Sequence, residues 1–321
     1  MIDISAIFVI LSFVIGCTHA SKCVLPEPGV CGVLPLKSEE TDLAYTAYPW
    51  MAVLIAQPQQ NGPIVAICGG SLISDELVLT AAHCFNILPD FSMLKVRLGG
   101  WNITTERSCN DRFCDGRIID VAIETAFIHE NFYQDFNSTN IHHDVALIKL
   151  VKRVNFTDFI TPICMAESNS CTVPEDAKKF YRVVGWNILG KDYVANLTDF
   201  VGDRQQYSIS TRSTHGTDCD YIFQPTIEIC TKQVDNSENQ YVDFGRSLIS
   251  KESDGYWYLY GHGVWEFGNP NAMPYESDIF TRIACYRSWI ESRCFLRTTF
   301  PEFKKGGQHA GSHRQPPPYF P

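Results

Sequence analysis

The chain has 321 residues, 45% hydrophobic, 19% charged and 12% aromatic, which supplies enough apolar surface for a sizeable core and excludes a wholly disordered or fibrous protein. Its formal net charge of −10 opposes binding to phosphate backbones, so nucleic acid is excluded as an expected partner. The length suits one domain of about 250 residues and allows two.

Residues 1–20, MIDISAIFVILSFVIGCTHA, carry an apolar run from Ile7 to Ile15 and then small residues. This is the shape of a signal peptide cleaved before Ser21, although Lys and Arg are missing ahead of the run. The run falls well short of the roughly 20 residues that a membrane span requires, and no later segment could cross a bilayer. Of 13 cysteines, Cys17 leaves with the leader. The others are even in number and bound for an oxidising compartment, so disulfides are expected ahead of metal. Sequons at Asn102, Asn137, Asn155 and Asn196 agree with a secreted, extracellular glycoprotein.

Residues 21–43 form a short segment rich in Pro and acids, holding Cys23 and Cys31. From Trp50 onward, β-rich runs recur between turn signals: MAVLIAQ, IVAICGGSLIS, LVLTAAHC, LKVRLGGW, IDVAIETAFIH, DVALIKLV and KKFYRVVGW. RSLISKES and YWYLYGHGVW then flank Asp254-Gly255, a pair suited to a tight hairpin turn. The pattern predicts an all-β barrel or sandwich of antiparallel strands. Ile283, Tyr286, Trp289 and Ile290 predict one apolar face on a closing helix. Residues 296–321 contain Gly, Pro, Lys and His with little to bury, and are expected to be a disordered tail. His142, His143, His309 and His313 are read as solvated surface imidazoles, so no metal site is expected.

LTAAHC at 79–84 and HHDVALIKL at 142–150 resemble the two fixed signatures of the trypsin/chymotrypsin-like serine proteases. YPWMAVL, CGGSLIS, TPIC, VVGW and IFTRI extend the resemblance from Tyr48 to Phe295. It implies two six-stranded antiparallel β-barrels with a C-terminal helix, a domain spanning residues 44–295. It also implies that His83 is the general base and Asp144 the residue that orients it.

The third member of the triad should lie in a GDSGGP loop. The matching stretch is QYVDFGRSLIS at 240–250, and alignment on Asp243 puts Phe244 where the serine belongs. A phenyl ring has no lone pair with which to attack a carbonyl. Val242 replaces the glycine whose N–H faces the oxyanion, and Arg246 and Ser247 replace the next Gly and Pro. Two of the family's disulfides are lost as whole pairs: Tyr181 and Ser250 stand for one, and Gln240 has no Cys and no partner between Phe267 and Ile283. Ile-Val-Gly-Gly is absent, and cleavage after Lys37 would expose Ser38, so Asp243 is expected to lack its amino-terminal partner. Glu266 falls near Asp144, where two carboxylates repel, and the base of the specificity pocket falls near Glu238. Gly100 replaces the Glu of the family's calcium loop, so no calcium and no cofactor are expected.

By the same resemblance Cys68 pairs with Cys84 and Cys219 with Cys230. Cys109 and Cys114 close a small loop, and Cys31 or Cys23 ties the N-terminal segment to Cys164. Cys285 and Cys294 lie too far apart along a helix to pair with each other.

The resulting expectation is a secreted, catalytically inactive protease homologue of the arthropod type, without a full clip domain. It would act by binding extracellular proteases, zymogens or inhibitors in cascades of innate immunity. The alternatives are an active peptidase using Ser247, with Gly245 at the oxyanion, and an adhesion or reproductive-secretion protein binding through its tail.

Overall fold

The computed structural model describes residues 25–34, 48–57, 64–86, 94–100, 118–134, 141–166, 179–186, 206–214, 224–234, 245–264 and 277–294. The first half runs β1 (Met51–Ala56), β2 (Val65–Leu72), β3 (Leu77–Thr80), a 3-10 turn (Ala82–Phe85), β4 (Leu94–Leu98), β5 (Ile119–Ile128), β6 (Tyr133–Gln134), β7 (Ile141–His142) and β8 (Ala146–Leu150). Strands β1-β2-β3-β8-β5-β4 close into a six-stranded antiparallel barrel, while β6 and β7 pair separately. MAVLIA of β1 is buried along its whole length, with no polar face.

The second half runs β9 (Cys164–Met165), β10 (Phe180–Gly185), β11 (Tyr207–Ser213), β12 (Glu228–Gln233), β13 (Ser247–Lys251), β14 (Trp257–Gly263), β15 (Ser277–Arg282), a 3-10 turn (Ile283–Tyr286) and α1 (Arg287–Cys294). Its sheet order is β13-β10-β11-β12-β15-β14, closed by β13 pairing with β14. The two-barrel architecture is thus as expected, with one addition: the short β9 attaches parallel to β14. Asp254-Gly255 does make the β13–β14 hairpin turn. Gly255 sits at φ +87°, and Asp254 accepts bonds from the Tyr256 N–H at 3.0 Å and the Tyr258 hydroxyl at 2.6 Å.

The closing helix begins as a 3-10 turn and becomes α-helical only at Arg287. Ile283, Tyr286 and Ile290 are buried as the periodicity predicts, and Trp289 is half-buried. Tyr48, Trp50 and Trp257 cluster with ring centroids 5.6 to 6.4 Å apart, and truncating such a buried aromatic costs about 3–5 kcal/mol. Trp186 on the second barrel donates to the Ala52 carbonyl of the first at 3.2 Å, fixing one barrel on the other.

Of the two cysteines that could hold the N-terminal segment, Cys31 is bonded to Cys164. Gly32 donates to the Pro162 carbonyl and accepts from the Trp257 N–H. At φ +70° a Cβ on Gly32 would lie 2.6 Å from the Trp257 oxygen, so only glycine allows this docking.

Candidate active site

His83 lies in the 3-10 turn just after β3, and the Cys68–Cys84 disulfide pins that turn to β2. Asp144 lies between β7 and β8, directly after His143, whose φ of +53° turns the chain inward. The Asp144 carboxylate is held twice by one residue: Oδ1 accepts from the His83 backbone N–H at 2.9 Å, and Oδ2 from the ring Nδ1 at 2.6 Å. The Asp144 carbonyl accepts from the Thr281 hydroxyl of β15 at 3.1 Å. The structure therefore joins the two residues the motifs single out, in the geometry of a base and its orienter.

The dyad is closed off from solvent. His83 is 0% and Asp144 1% exposed. A general base must come within hydrogen-bond reach of the group it deprotonates, and a ring with no accessible surface offers substrate no approach in this conformation.

The loop that should bring the nucleophile ends at Gly245, at φ +69°. A Cβ there would lie 2.3 Å from the Gly69 carbonyl oxygen, which also accepts from the Thr80 hydroxyl at 2.7 Å. Glycine is required because this loop presses on the backbone of β2. Arg246 follows, its stem against the α-carbon of Gly263, its guanidinium 5.2 Å from the centre of the Phe280 ring and bonded to Asp278 at 2.7 Å. Ser247 is fully buried in β13 and shares a 2.7 Å hydrogen bond with Ser71 of β2. Val242, Asp243, Phe244 and Glu266 lie outside the described residues, as does Glu238.

The β10–β13 pairing bears on the strand that follows this loop. Arg182, Val183 and Val184 face Ile249, Leu248 and Ser247, so the next step outward sets Tyr181 opposite Ser250. These are the two positions read as one lost disulfide. Ser250 now donates to the Phe180 carbonyl at 3.2 Å, and Tyr181 packs edge-on against Tyr260 at 5.2 Å.

Two polar groups near the dyad carry no sequence motif. Glu228 of β12 is 4% exposed, bonded to the Gln224 N–H at 2.8 Å and 3.6 Å from His142 Nδ1. Burial raises its pKa to about 7, the Asp144 carboxylate adds to that, and the Gln224 N–H pulls the other way. His262 of β14 is fully buried, its Nδ1 is 3.4 Å from the Gly245 carbonyl, and burial lowers its pKa to about 4. Only the fold brings either one to Asp144, since strand alternation gives no sign of it.

His142 and His143 are not the solvated imidazoles expected from their place in the sequence. Both are half-buried. His142 contacts Gln224 at 3.1 Å. His143 stacks on His129 at 5.1 Å between centroids and shares a 3.0 Å hydrogen bond with the Tyr286 hydroxyl. The correction has a simple cause: the helical end of the chain folds back over this turn. Among the described residues, one group could offer three metal-ligating side chains, Cys68, His83 and Cys84. Both of its sulfurs are consumed by the disulfide, which leaves a single donor.

Cys230 and Cys294 are also disulfide-bonded, and the Cys285 thiol donates to the Thr226 carbonyl at 3.2 Å. Cys109, Cys114 and Cys219 lie outside the described residues, as do the sequons at Asn102, Asn137 and Asn196. Asn155 is exposed, as an acceptor of a glycan must be. Among the described residues no helix is long and apolar enough to cross a membrane.

Two barrels with a histidine and an aspartate at their junction define the class of the trypsin-like serine proteases, and the chain belongs to the trypsin family, whose pattern residues 39–290 match. Within that family it is similar to insect proteins. A CLIP domain-containing serine protease HP8 of Bombyx mori is 27% identical over 297 residues, 87% of this chain and 75% of the relative. CLIP domain-containing serine protease B4 of Anopheles gambiae is 27% identical over 87% of this chain and 77% of its own. Phenoloxidase-activating factor 3 of Holotrichia diomphalia is 28% identical over 86% and 78%.

Proposed function

We propose that this protein is a catalytically inactive, secreted homologue of the trypsin-like proteases that works by binding, as a regulator of an extracellular protease cascade. The observation that carries the reading is the complete burial of His83. A base sealed from solvent suits a structural dyad, and the sequence puts Phe244 where a nucleophile would have to meet it. The tyrosine and serine facing one another across β10 and β13 support the register on which that assignment depends. Kinship with insect proteins named as phenoloxidase-activating factors and as a melanization protease supports the setting in immune cascades.

A competing use of Ser247 as nucleophile is disfavoured by its burial and its bond to Ser71. Incubation of the purified protein with a fluorophosphonate probe is expected to leave it unmodified, and chromogenic esters are expected to remain intact. Stoichiometric labelling of any serine would overturn the proposal.

A further inference from the structure

Two histidines outside the dyad meet where the helical end of the chain lies on the first barrel. His129 follows β5 and His143 follows β7, and both are half-buried. Their rings stack at 5.1 Å between centroids, 9° from parallel. Tyr286 stands edge-on to both, 5.1 Å from His129 and 5.9 Å from His143, and Trp289 lies 5.2 Å from His129. Tyr286 and Ile290 belong to the same apolar core as β1 and β8. The pair thus occupies the joint between the last element of the chain and the first barrel.

This arrangement suits neutral rings. His129 Nδ1 accepts from the Asn131 N–H at 3.2 Å, which needs its lone pair, so protonation would set two N–H groups against each other. His143 Nδ1 shares a 3.0 Å hydrogen bond with the Tyr286 hydroxyl, a group that can donate or accept and so serves either state. Two imidazolium rings in the stack would repel. Among the described residues, the carboxylates on the surrounding elements are engaged elsewhere. Glu130 accepts from Trp289 Nε1 at 2.8 Å and pairs with Arg293, and Glu291 pairs with Arg287 at 2.9 Å. Asp144 is held by His83, and Glu228 lies toward His142. Burial, then His143 and Arg293, lower the pKa of His129 to about 4, while burial and then His142 lower that of His143.

We propose that the His129–His143 stack is an acid-released latch, closed between neutral rings and opened by protonation, that fastens the closing helix to the first barrel. A base whose folded pKa is depressed favours the fold fully above its unfolded pKa, and that contribution declines as pH falls toward the folded value. The latch is therefore shut at neutral pH and loosens as pH falls from 6.5 toward about 4.

The test is amide hydrogen exchange on the full chain, read by mass spectrometry at pH 7 and pH 4 and corrected for the intrinsic rate at each pH. Protection of peptides covering residues 286–293 should fall by roughly tenfold or more relative to peptides covering β1. The β1 reference removes any global loss, including one caused by His262. His143→Asn installs a residue that accepts the φ of +53°, and His129→Asn keeps a side-chain acceptor for the Asn131 N–H. Each should shrink the pH-dependent difference several-fold, and the double variant should abolish it, whatever either does to protection at pH 7.

A helix that keeps its protection at pH 4, or loses it only in step with β1, overturns the proposal. So does a double variant that responds to acid as the parent does.

Discussion

Asp144 grips His83 by both ring and backbone, so its carboxylate is spent on holding the turn after β3 as well as on the imidazole. That economy makes the dyad useful to the fold even without chemistry, since a buried charge is tolerable only when paired. Phe244→Ser alone is therefore expected to give no turnover of a chromogenic ester. His83 would stay enclosed, on the proposed alignment Val242 would replace the oxyanion glycine, and the sequence has no Ile-Val-Gly-Gly to form the terminus. Measurable hydrolysis by that variant would confine the lesion to one side chain. Glu228 makes a second prediction at this scale. Its folded pKa of about 7 lies above the ordinary 4.5, so its contribution is fully present below about pH 4.5 and is lost as pH rises through 7. Glu228→Gln should match the parent near pH 4 and exceed it above pH 7 by up to about 3 kcal/mol, read from denaturant midpoints across that range. His262 works in the opposite sense, its contribution holding above about pH 6.5 and fading as pH falls through about 4. A Glu228→Gln variant whose advantage did not grow with pH would mean that Glu228 is not buried as a carboxylate at all.

The elements that the sequence made visible are those buried on both faces or closed by a turn pair, such as β1, β2 and the β13–β14 hairpin. Strand β11 was missed because its inward positions include Thr211 and Ser213, so YSISTRS alternates in burial without alternating in polarity. In β12, EICTKQ hides Glu228 in what reads as a Cys-flanked loop, and β15 was visible only as a family motif. The dyad was legible because both members sit inside fixed motifs. Glu228 and His262 were not, because strand pairing alone brings them near Asp144. Register is where the two kinds of knowledge meet, and it can be tested directly. Tyr181→Cys with Ser250→Cys should form a cross-link in oxidising medium, seen as the loss of two hydrogens by mass spectrometry and the absence of free thiol at both sites. A slip of one residue would turn the two side chains to opposite faces of the sheet and prevent it.

At the scale of the whole molecule, the two barrels are joined through the Trp186–Ala52 bond, the Ser71–Ser247 pair and the Thr281–Asp144 bond, while residues 25–34 are held to the barrels' outside by Cys31–Cys164. In the intact chain this link spans 133 residues, a closure that on the chain-entropy account stabilises the fold by about 5 kcal/mol. Cutting the chain after Lys37 changes what the link does. The closed loop opens, and the disulfide becomes a tether whose segment is still seated by the two backbone bonds of Gly32. Trypsin-clipped protein should then run as one species without reductant and as two with it. Cys31→Ser should lose its N-terminal peptide on clipping even without reductant, and before clipping should be destabilised by about 2–5 kcal/mol. Escape of the peptide from unreduced parent protein would show that Cys31 is not bonded to Cys164 in solution.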